Sequence, residues 1–311
     1  MNKEMEISVV VPIFNESENI DHLLVRLKST LESISPNYEV IFSADPCSDD
    51  TVEKILAARK LDQRIKLITM SRRFGQPAAT MAALSRSMGK CCVLIDADLQ
   101  DPPEFILDLY RKHKEGFDVV HARRSKRIGE NFIRLAITHV GYWVINQLST
   151  TNIPRNVGDF KLISRRVVDE VIKLNESNIF IKGLVSFVGY RQISIDYIRD
   201  ARYSGVPHYS QLWGSIPQSL NGIYCYSNKP LHLVSLLGVA STFGAFLLII
   251  LFIIAKLFGA PFASGLVTIV VVVAFFSGLI LFSIGILGEY IGRIFDEVKG
   301  RPRYIVESEY F

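Results

Sequence analysis

Residues 91–104 read Cys-Cys-Val-Leu-Ile-Asp-Ala-Asp-Leu-Gln-Asp-Pro-Pro-Glu. An apolar strand, Cys92 to Ile95, runs straight into two carboxylates, Asp96 and Asp98, spaced i and i+2. Side chains at that spacing share a face while the chain stays extended. Carboxylates at the carboxyl end of a strand suit a hard divalent cation, with waters and phosphate oxygens filling its remaining positions. The alternative is a solvated turn that caps the helix beginning at Pro103.

Working outward, short runs that are apolar on both faces recur at Ile7 to Ile13, Tyr38 to Ser43, Ile65 to Met70, Cys91 to Asp96 and Asp118 to Ala122. Between them lie the amphipathic stretches Ile20 to Ser33, Thr51 to Leu61, Gln76 to Met88 and Pro103 to Lys114. Repeated strand-then-helix order predicts an α/β domain whose mostly parallel sheet is covered on both faces, with the ligand at the carboxyl ends of the strands. There is neither a G-x-G-x-x-G turn nor a G-K-[ST] loop, so the dinucleotide and P-loop phosphate cradles are excluded.

The 311 residues include 35 Lys+Arg against 31 Asp+Glu, and 49% are hydrophobic. A mean hydropathy of +0.25 is high for a soluble enzyme, and 21% charged residues exclude disorder. The apolar excess is concentrated: no charge occurs from Leu233 to Ala255 or from Leu257 to Gly288. Each stretch is long enough to cross a hydrocarbon core of ~30 Å at the helical rise. The short connection at Gly259, Ala260 and Pro261 predicts a hairpin. Lys229 precedes it and Arg293, Lys299, Arg301 and Arg303 follow it, against Lys256 at the tip, so both chain ends are expected in the cytoplasm. The polar opening from Met1 to Glu6 predicts no signal peptide. Cys47, Cys91, Cys92 and Cys225 form no C-x-x-C pair, so reduced thiols are expected and structural zinc is not.

Val9-Val10-Val11-Pro12-Ile13-Phe14-Asn15-Glu16, Ser71-Arg72-Arg73-Phe74-Gly75, the acidic run from Asp96, Gly158-Asp159-Phe160-Lys161-Leu162-Ile163-Ser164-Arg165, and the tail LGEYIGRIFDEVKGRPRYIV from Leu287 occur in that order over nearly the whole chain. Together they resemble the polyprenyl-phosphate glycosyltransferases, family 2 enzymes of GT-A fold similar to dolichol-phosphate mannose synthase and bactoprenol glucosyltransferases. The resemblance implies that Pro12, Asn15, Glu16, Asp45 and Asp96 bind the nucleotide, with Asp45 contacting the base. It implies that Asp96, Asp98 and Gln100 hold Mg²⁺ or Mn²⁺, that Asp98 and Asp159 are catalytic, and that Asp159 lies near the acceptor. Arg124, Arg127 and Arg202 are implied to meet phosphates of donor or lipid.

The implied layout is a GT-A domain at 1–205, interfacial amphipathic helices at 206–230, two membrane helices at about 231–255 and 263–288, and a cytoplasmic tail at 289–311. The implied reaction moves a hexose, with glucose favoured, from a nucleotide-sugar, with UDP favoured, to undecaprenyl or another polyprenyl phosphate at the inner membrane's cytoplasmic face. It would supply cell-envelope glycan synthesis by an inverting route.

The chemistry agrees without the family. A cation neutralises a departing diphosphate, and a phosphate with a second pKa near ~6 is already largely dianionic at neutral pH, so Asp159 would orient the acceptor rather than act as a strong base. The alternative for Asp159 is a carboxylate at a helix N-terminus ahead of Ser164.

Arg123, Arg124, Lys126, Arg127 and Arg134 form a basic run that suits anionic lipid or substrate. Phe132, Tyr142 and Trp143 fall at helical spacing beside it, so nucleic acid is not an expected partner. Tyr209, Trp213, Tyr224 and Tyr226 suit the headgroup layer, and Gly285, Gly288 and Gly292 would allow close helix contacts, including between copies.

The chain departs from the family pattern at Ala44-Asp45-Pro46-Cys47, where D-D-G-S is usual, at Arg73, and at Arg202-Tyr203-Ser204-Gly205-Val206-Pro207-His208-Tyr209. Two other readings differ in class. One is a non-catalytic nucleotide- or lipid-binding membrane partner. The other is a processive polysaccharide synthase, which would be expected to carry Q-x-x-R-W where this chain has Gln211-Leu212-Trp213.

Overall fold

The computed structural model describes residues 4–125, 157–199, 224, 227–258 and 265–311. Its centre is an eight-stranded sheet in the order β7-β5-β6-β4-β1-β2-β3-β8. The strands are β1 (Ile7–Ile13), β2 (Tyr38–Ala44), β3 (Ile65–Met70), β4 (Cys91–Leu94), β5 (Val119–Arg124), β6 (Val157–Ser164), β7 (Gln192–Tyr197) and β8 (Val306–Tyr310). The helices are α1 (Ser17–Ile34), α2 (Thr51–Leu61), α3 (Gln76–Arg86), α4 (Ile106–Lys114), α5 (Arg165–Lys173), α6 (Ile181–Phe187), α7 (Lys229–Leu257) and α8 (Leu266–Lys299).

Alternation along the central strands sends apolar side chains to both faces, which is why these strands lack the polar half of an exposed sheet. Val9, Val11, Cys91 and Val93 pack under Leu23, Leu27, Ile55, Ile106 and Leu109, beneath α1, α2 and α4. Val10, Cys92, Leu94 and Ile163 pack against Ala82, Val167, Val171 and Leu184 of α3, α5 and α6. Burying both faces is the condition under which parallel strands are stable.

The sheet is mixed, with reversals beyond the predicted strand–helix repeats. β1 runs parallel to β2 and β4, β2 to β3, and β5 to β7. β6 is antiparallel to both β4 and β5, and β8 is antiparallel to β3. The reversal of β6 has a functional consequence: its beginning, not its end, meets the carboxyl ends of β1, β2 and β4.

The tail does not simply trail away. α8 continues to Lys299 and stops at Gly300, whose left-handed φ of 57° a side chain would disfavour. The next residues return to the domain. Arg303 donates to Asn175 Oδ1 from Nε and Nη2 at 3.0 and 2.8 Å, Tyr304 Oη lies 2.9 Å from Ser85 Oγ, and β8 closes the β3 edge. At the end of α8, Glu297 Oε2 accepts from Ser177 N at 2.9 Å.

α7 and α8 contact each other, and none of the described side chains over Lys229–Leu248 and Val271–Lys299 is buried. By length and composition both helices can cross a membrane. The hairpin tip at 259–264 and, of the expected interfacial stretch, residues 206–223, 225 and 226 lie outside the described residues. Of that stretch Tyr224 is described, its ring edge-on to Tyr290 at 5.5 Å.

Candidate functional site

A cleft of about 190 Å³ opens over the carboxyl edge of the sheet and is lined by Pro12, Gln76, Thr80, Asp96, Asp159 and Lys182, with Ile179, Phe180 and Ile181 on its apolar side. The register explains how two carboxylates meet there. Leu94 of β4 pairs with Lys161 of antiparallel β6, so two residues onward on one strand and two residues back on the other place Asp96 beside Asp159.

Asp96 accepts a hydrogen bond on Oδ1 from Gln76 Nε2 at 2.7 Å. Burial pushes its pKa up to about 7, and the Asp159, Asp101 and Asp98 carboxylates add to that push. Asp98, 8% exposed, accepts the Gln100 N–H at 3.1 Å and has Arg199 Nη2 4.0 Å from its Oδ2. Between them and Gln100, Leu99 is held at a left-handed φ of 57°, a conformation that costs a non-glycine residue on the order of 1 kcal/mol.

Among the described residues no group of three or more His, Cys, Asp or Glu is arranged as a complete metal cage. Of the three predicted ligands Asp96 lines the cleft, whereas Asp98 and Gln100 are not among its lining residues; the negative charge gathered around Asp96, which raises it, fits a hard cation whose other ligands come from water and a diphosphate.

Asp159 experiences the opposite field. Burial would raise its pKa, but the charges of Lys182, Lys161 and Arg124 outweigh that and hold it below the ordinary carboxylate value. Arg124 sits against Gly158, where a Cβ would come within 2.8 Å of its Nη2. Burial opposes the Arg124 charge, yet the Tyr197 hydroxyl and the Asp101 and Asp96 carboxylates raise its pKa on balance.

The remaining predicted residues are placed as follows. Pro12 lines the cleft. Asn15, at a φ of 54°, ties two loops together: its Nδ2 donates to Ser48 Oγ at 3.1 Å and its Oδ1 accepts from Ser48 N at 2.8 Å. Glu16 Oε2 accepts from Asn19 Nδ2 at 2.6 Å. Asp45, 3% exposed, accepts the Phe74 and Gly75 N–H groups at 3.0 and 2.8 Å, so it shapes the 71–75 loop with both oxygens. Of the basic run, Arg123 is paired with Asp196 at 2.5 Å, while Lys126, Arg127, Arg134 and, further on, Arg202 lie outside the described residues.

Several site residues escaped the sequence reading. Gln76 and Lys182 line the cleft, and a local pattern gave no sign of either. Asp101 is buried under Arg199 Nε at 3.3 Å and accepts from the Tyr197 hydroxyl. Lys161 is fully buried on the same strand face as Asp159, which the i, i+2 rule could have flagged.

A family model described as glycosyl transferase family 2 matches residues 8–172. The Bacillus subtilis protein YkcC, described as an uncharacterised glycosyltransferase, is 39% identical over 100% of this chain and 96% of its own length. The SfII prophage-derived bactoprenol glucosyl transferase of Shigella flexneri is 35% identical over 98% of this chain and 99% of its own. Among solved structures, the mannosyltransferase PcManGT of Pyrobaculum calidifontis, in complex with GDP-Man and Mn2+, aligns over 96% of this chain and 88% of its own at 14% identity, with a TM-score of 0.46.

Proposed function

The chain belongs to glycosyl transferase family 2, and from that premise we propose that it transfers a hexosyl group from a nucleotide-sugar to a polyprenyl phosphate at the membrane face. The full-length similarity to bactoprenol glucosyl transferases supports the lipid acceptor and favours glucose. The observation that carries the reading is the pairing of Asp96 and Asp159 in one cleft at the ligand edge of the sheet, in a chain that also has two helices long enough to span a bilayer.

The residues divide the work. Asp96, Asp98 and Gln100 would hold Mg²⁺ or Mn²⁺, which when bound supplies Lewis-acid neutralisation of the departing diphosphate. Gln76 fixes the Asp96 carboxylate. Arg199, through Asp101 and Asp98, holds the acidic loop in its strained turn. A general base works best with a pKa near the operating pH, and Asp159 is shifted away from that range. It therefore serves as a permanent anion that orients the acceptor. The acceptor needs no strong base, because a phosphate monoester with its second pKa near ~6 is already largely dianionic.

In this reaction a phosphate oxygen attacks C1 of the sugar as the C1–O bond to the diphosphate breaks. The bonding pair leaves with the nucleoside diphosphate, and the anomeric centre inverts, by analogy with single-displacement glycoside chemistry. UDP is the favoured leaving group. Arg293 and Lys299 in the last turns of α8, with Arg301 and Arg303 just past its end, support a cytoplasmic position for the catalytic domain and both ends.

The test is a panel of radiolabelled UDP- and GDP-hexoses offered with polyprenyl phosphate and Mg²⁺ or Mn²⁺ to the full chain in detergent. Label in the lipid from at least one donor is expected. Label from none of them overturns the proposal.

A further inference from the structure

Two ammonium groups act on one carboxylate in the cleft. Lys161 and Lys182 both lower the pKa of Asp159, but they come from different places. Lys161 rises from β6 two residues beyond Asp159; it is fully buried, and its Nζ has no hydrogen-bond partner among the described residues. Lys182 comes from the first turn of α6 and lines the open cleft. Among the described residues it forms no hydrogen bond and no ion pair.

The buried lysine already supplies Asp159 with a fixed counter-charge from inside the sheet. Among the described residues, the other charged or titratable groups that act on Asp159 or Lys161 are Asp96, two residues past β4, and Arg124 and His121 of β5. Asp96 is engaged by Gln76, Arg124 by Tyr197 and Asp101, and His121 has its Nε2 3.0 Å from Gln192 Oε1. Lys182 is thus a half-buried cation on the wall of a ligand cleft, with its donors unspent among the described residues. Lysine in such a setting binds phosphate as a point charge.

We infer that Lys182 is a phosphate-binding residue of the transfer reaction, donating from Nζ to a phosphoryl oxygen that lies beside Asp159. This rests on the reading of the cleft as the transfer site. Two ligands carry that chemistry, the donor diphosphate and the acceptor phosphate, and the experiment separates them.

The full chain in detergent is compared with Lys182→Met, Lys182→Gln and Lys182→Arg for both KM values, and UDP affinity is measured by calorimetry. Loss of a charge-assisted hydrogen bond predicts about a 10- to 100-fold weakening of one ligand. A rise in the KM for polyprenyl phosphate with UDP affinity unchanged assigns Lys182 to the acceptor. A fall in UDP affinity assigns it to the donor. In either case Lys182→Arg, which keeps the charge, recovers most of the affinity.

Lysine footprinting of the unmodified protein gives a reading that is independent of variant folding. Lys182 is expected to be protected by UDP or by a short-chain polyprenyl phosphate. Ligand affinities within twofold of the parent, a loss confined to kcat, or no protection by either ligand overturns the inference. A parent that labels no lipid overturns the transfer reading instead, so the two failures are distinguishable.

Discussion

The two walls of the cleft carry the same functional group in opposite electrostatic settings. On the β4 wall, Asp96 sits among Asp98, Asp101 and Asp159, and its pKa rises to about 7. On the β6 wall, Asp159 sits among Lys161, Lys182 and Arg124, and its pKa falls. The walls also differ in what fixes them. The acidic wall grows from the middle of the sheet and depends on a strained turn at Leu99. The basic wall continues from 174 to 182 beside the end of α8, where Arg303 holds Asn175 and Glu297 holds Ser177. One wall thus suits a cation and the other an anion, and the second is tied to a helix that can enter the bilayer. The difference teaches that neighbouring carboxylates acquire distinct roles from their surroundings.

The largest effect should come from the acidic wall. Asp98→Ala is expected to lower lipid labelling by about 10³-fold or more, since several kcal/mol of charge stabilisation are lost. Asp159→Asn should cost less, about 10²-fold in kcat, and should leave the pH optimum of the residual activity where it was. A shift in that optimum would show Asp159 titrating during turnover and would erase the contrast between the walls.

Lys161→Met sharpens the comparison further. Lys161 is a buried ammonium whose charge offsets that of Asp159, so an apolar replacement removes one half of a buried charge pair and should melt lower than the parent. Activity should fall as well, by about tenfold, as Asp159 loses its internal counter-charge; a 1.4 kcal/mol loss of transition-state stabilisation is a factor of ten.

The smallest signal is a slope. In the metal-free protein Asp96 binds its proton more tightly when folded than the usual value of 3.8 allows, so its contribution to stability is present in acid and is lost as pH rises to about 7. Asp159 is shifted downward, and its contribution is lost only in stronger acid. Melting temperatures measured from pH 5 to 7 should therefore decline less in Asp96→Asn than in the parent, and Asp159→Asn should soften the slope to a smaller extent, because the Asp159 carboxylate adds to the upward push on Asp96.

Much of this was legible locally. Strands buried on both faces announce themselves as apolar runs, and β1 and β3 fall at the predicted bounds. The carboxylates of the β4 end were legible because a polar pair at the end of a greasy strand has few structural uses. Strand direction was not legible: nothing in Val157–Ser164 says that β6 runs against β4, yet that reversal is what brings Asp159 to Asp96. β8 was missed because Val-Glu-Ser-Glu-Tyr reads as a polar tail, and the partner that makes it a strand, β3, lies more than two hundred residues earlier. The burial of Lys161 depends on its neighbours across the sheet, which its own strand does not specify. Asp45 was assigned to a base contact by resemblance; its two hydrogen bonds to the 74–75 backbone follow from a loop approach that no local pattern specifies.

The claim beneath all of this is that the acidic wall grips a divalent cation together with the donor's diphosphate. A Mn²⁺ titration followed by electron paramagnetic resonance, with and without UDP, tests it directly in the parent and in Asp98→Ala. The account predicts UDP-dependent loss of the free Mn²⁺ signal in the parent, saturating at one ion per chain, and no such loss in the variant. Equal Mn²⁺ uptake by the two proteins, or none by the parent, would contradict it.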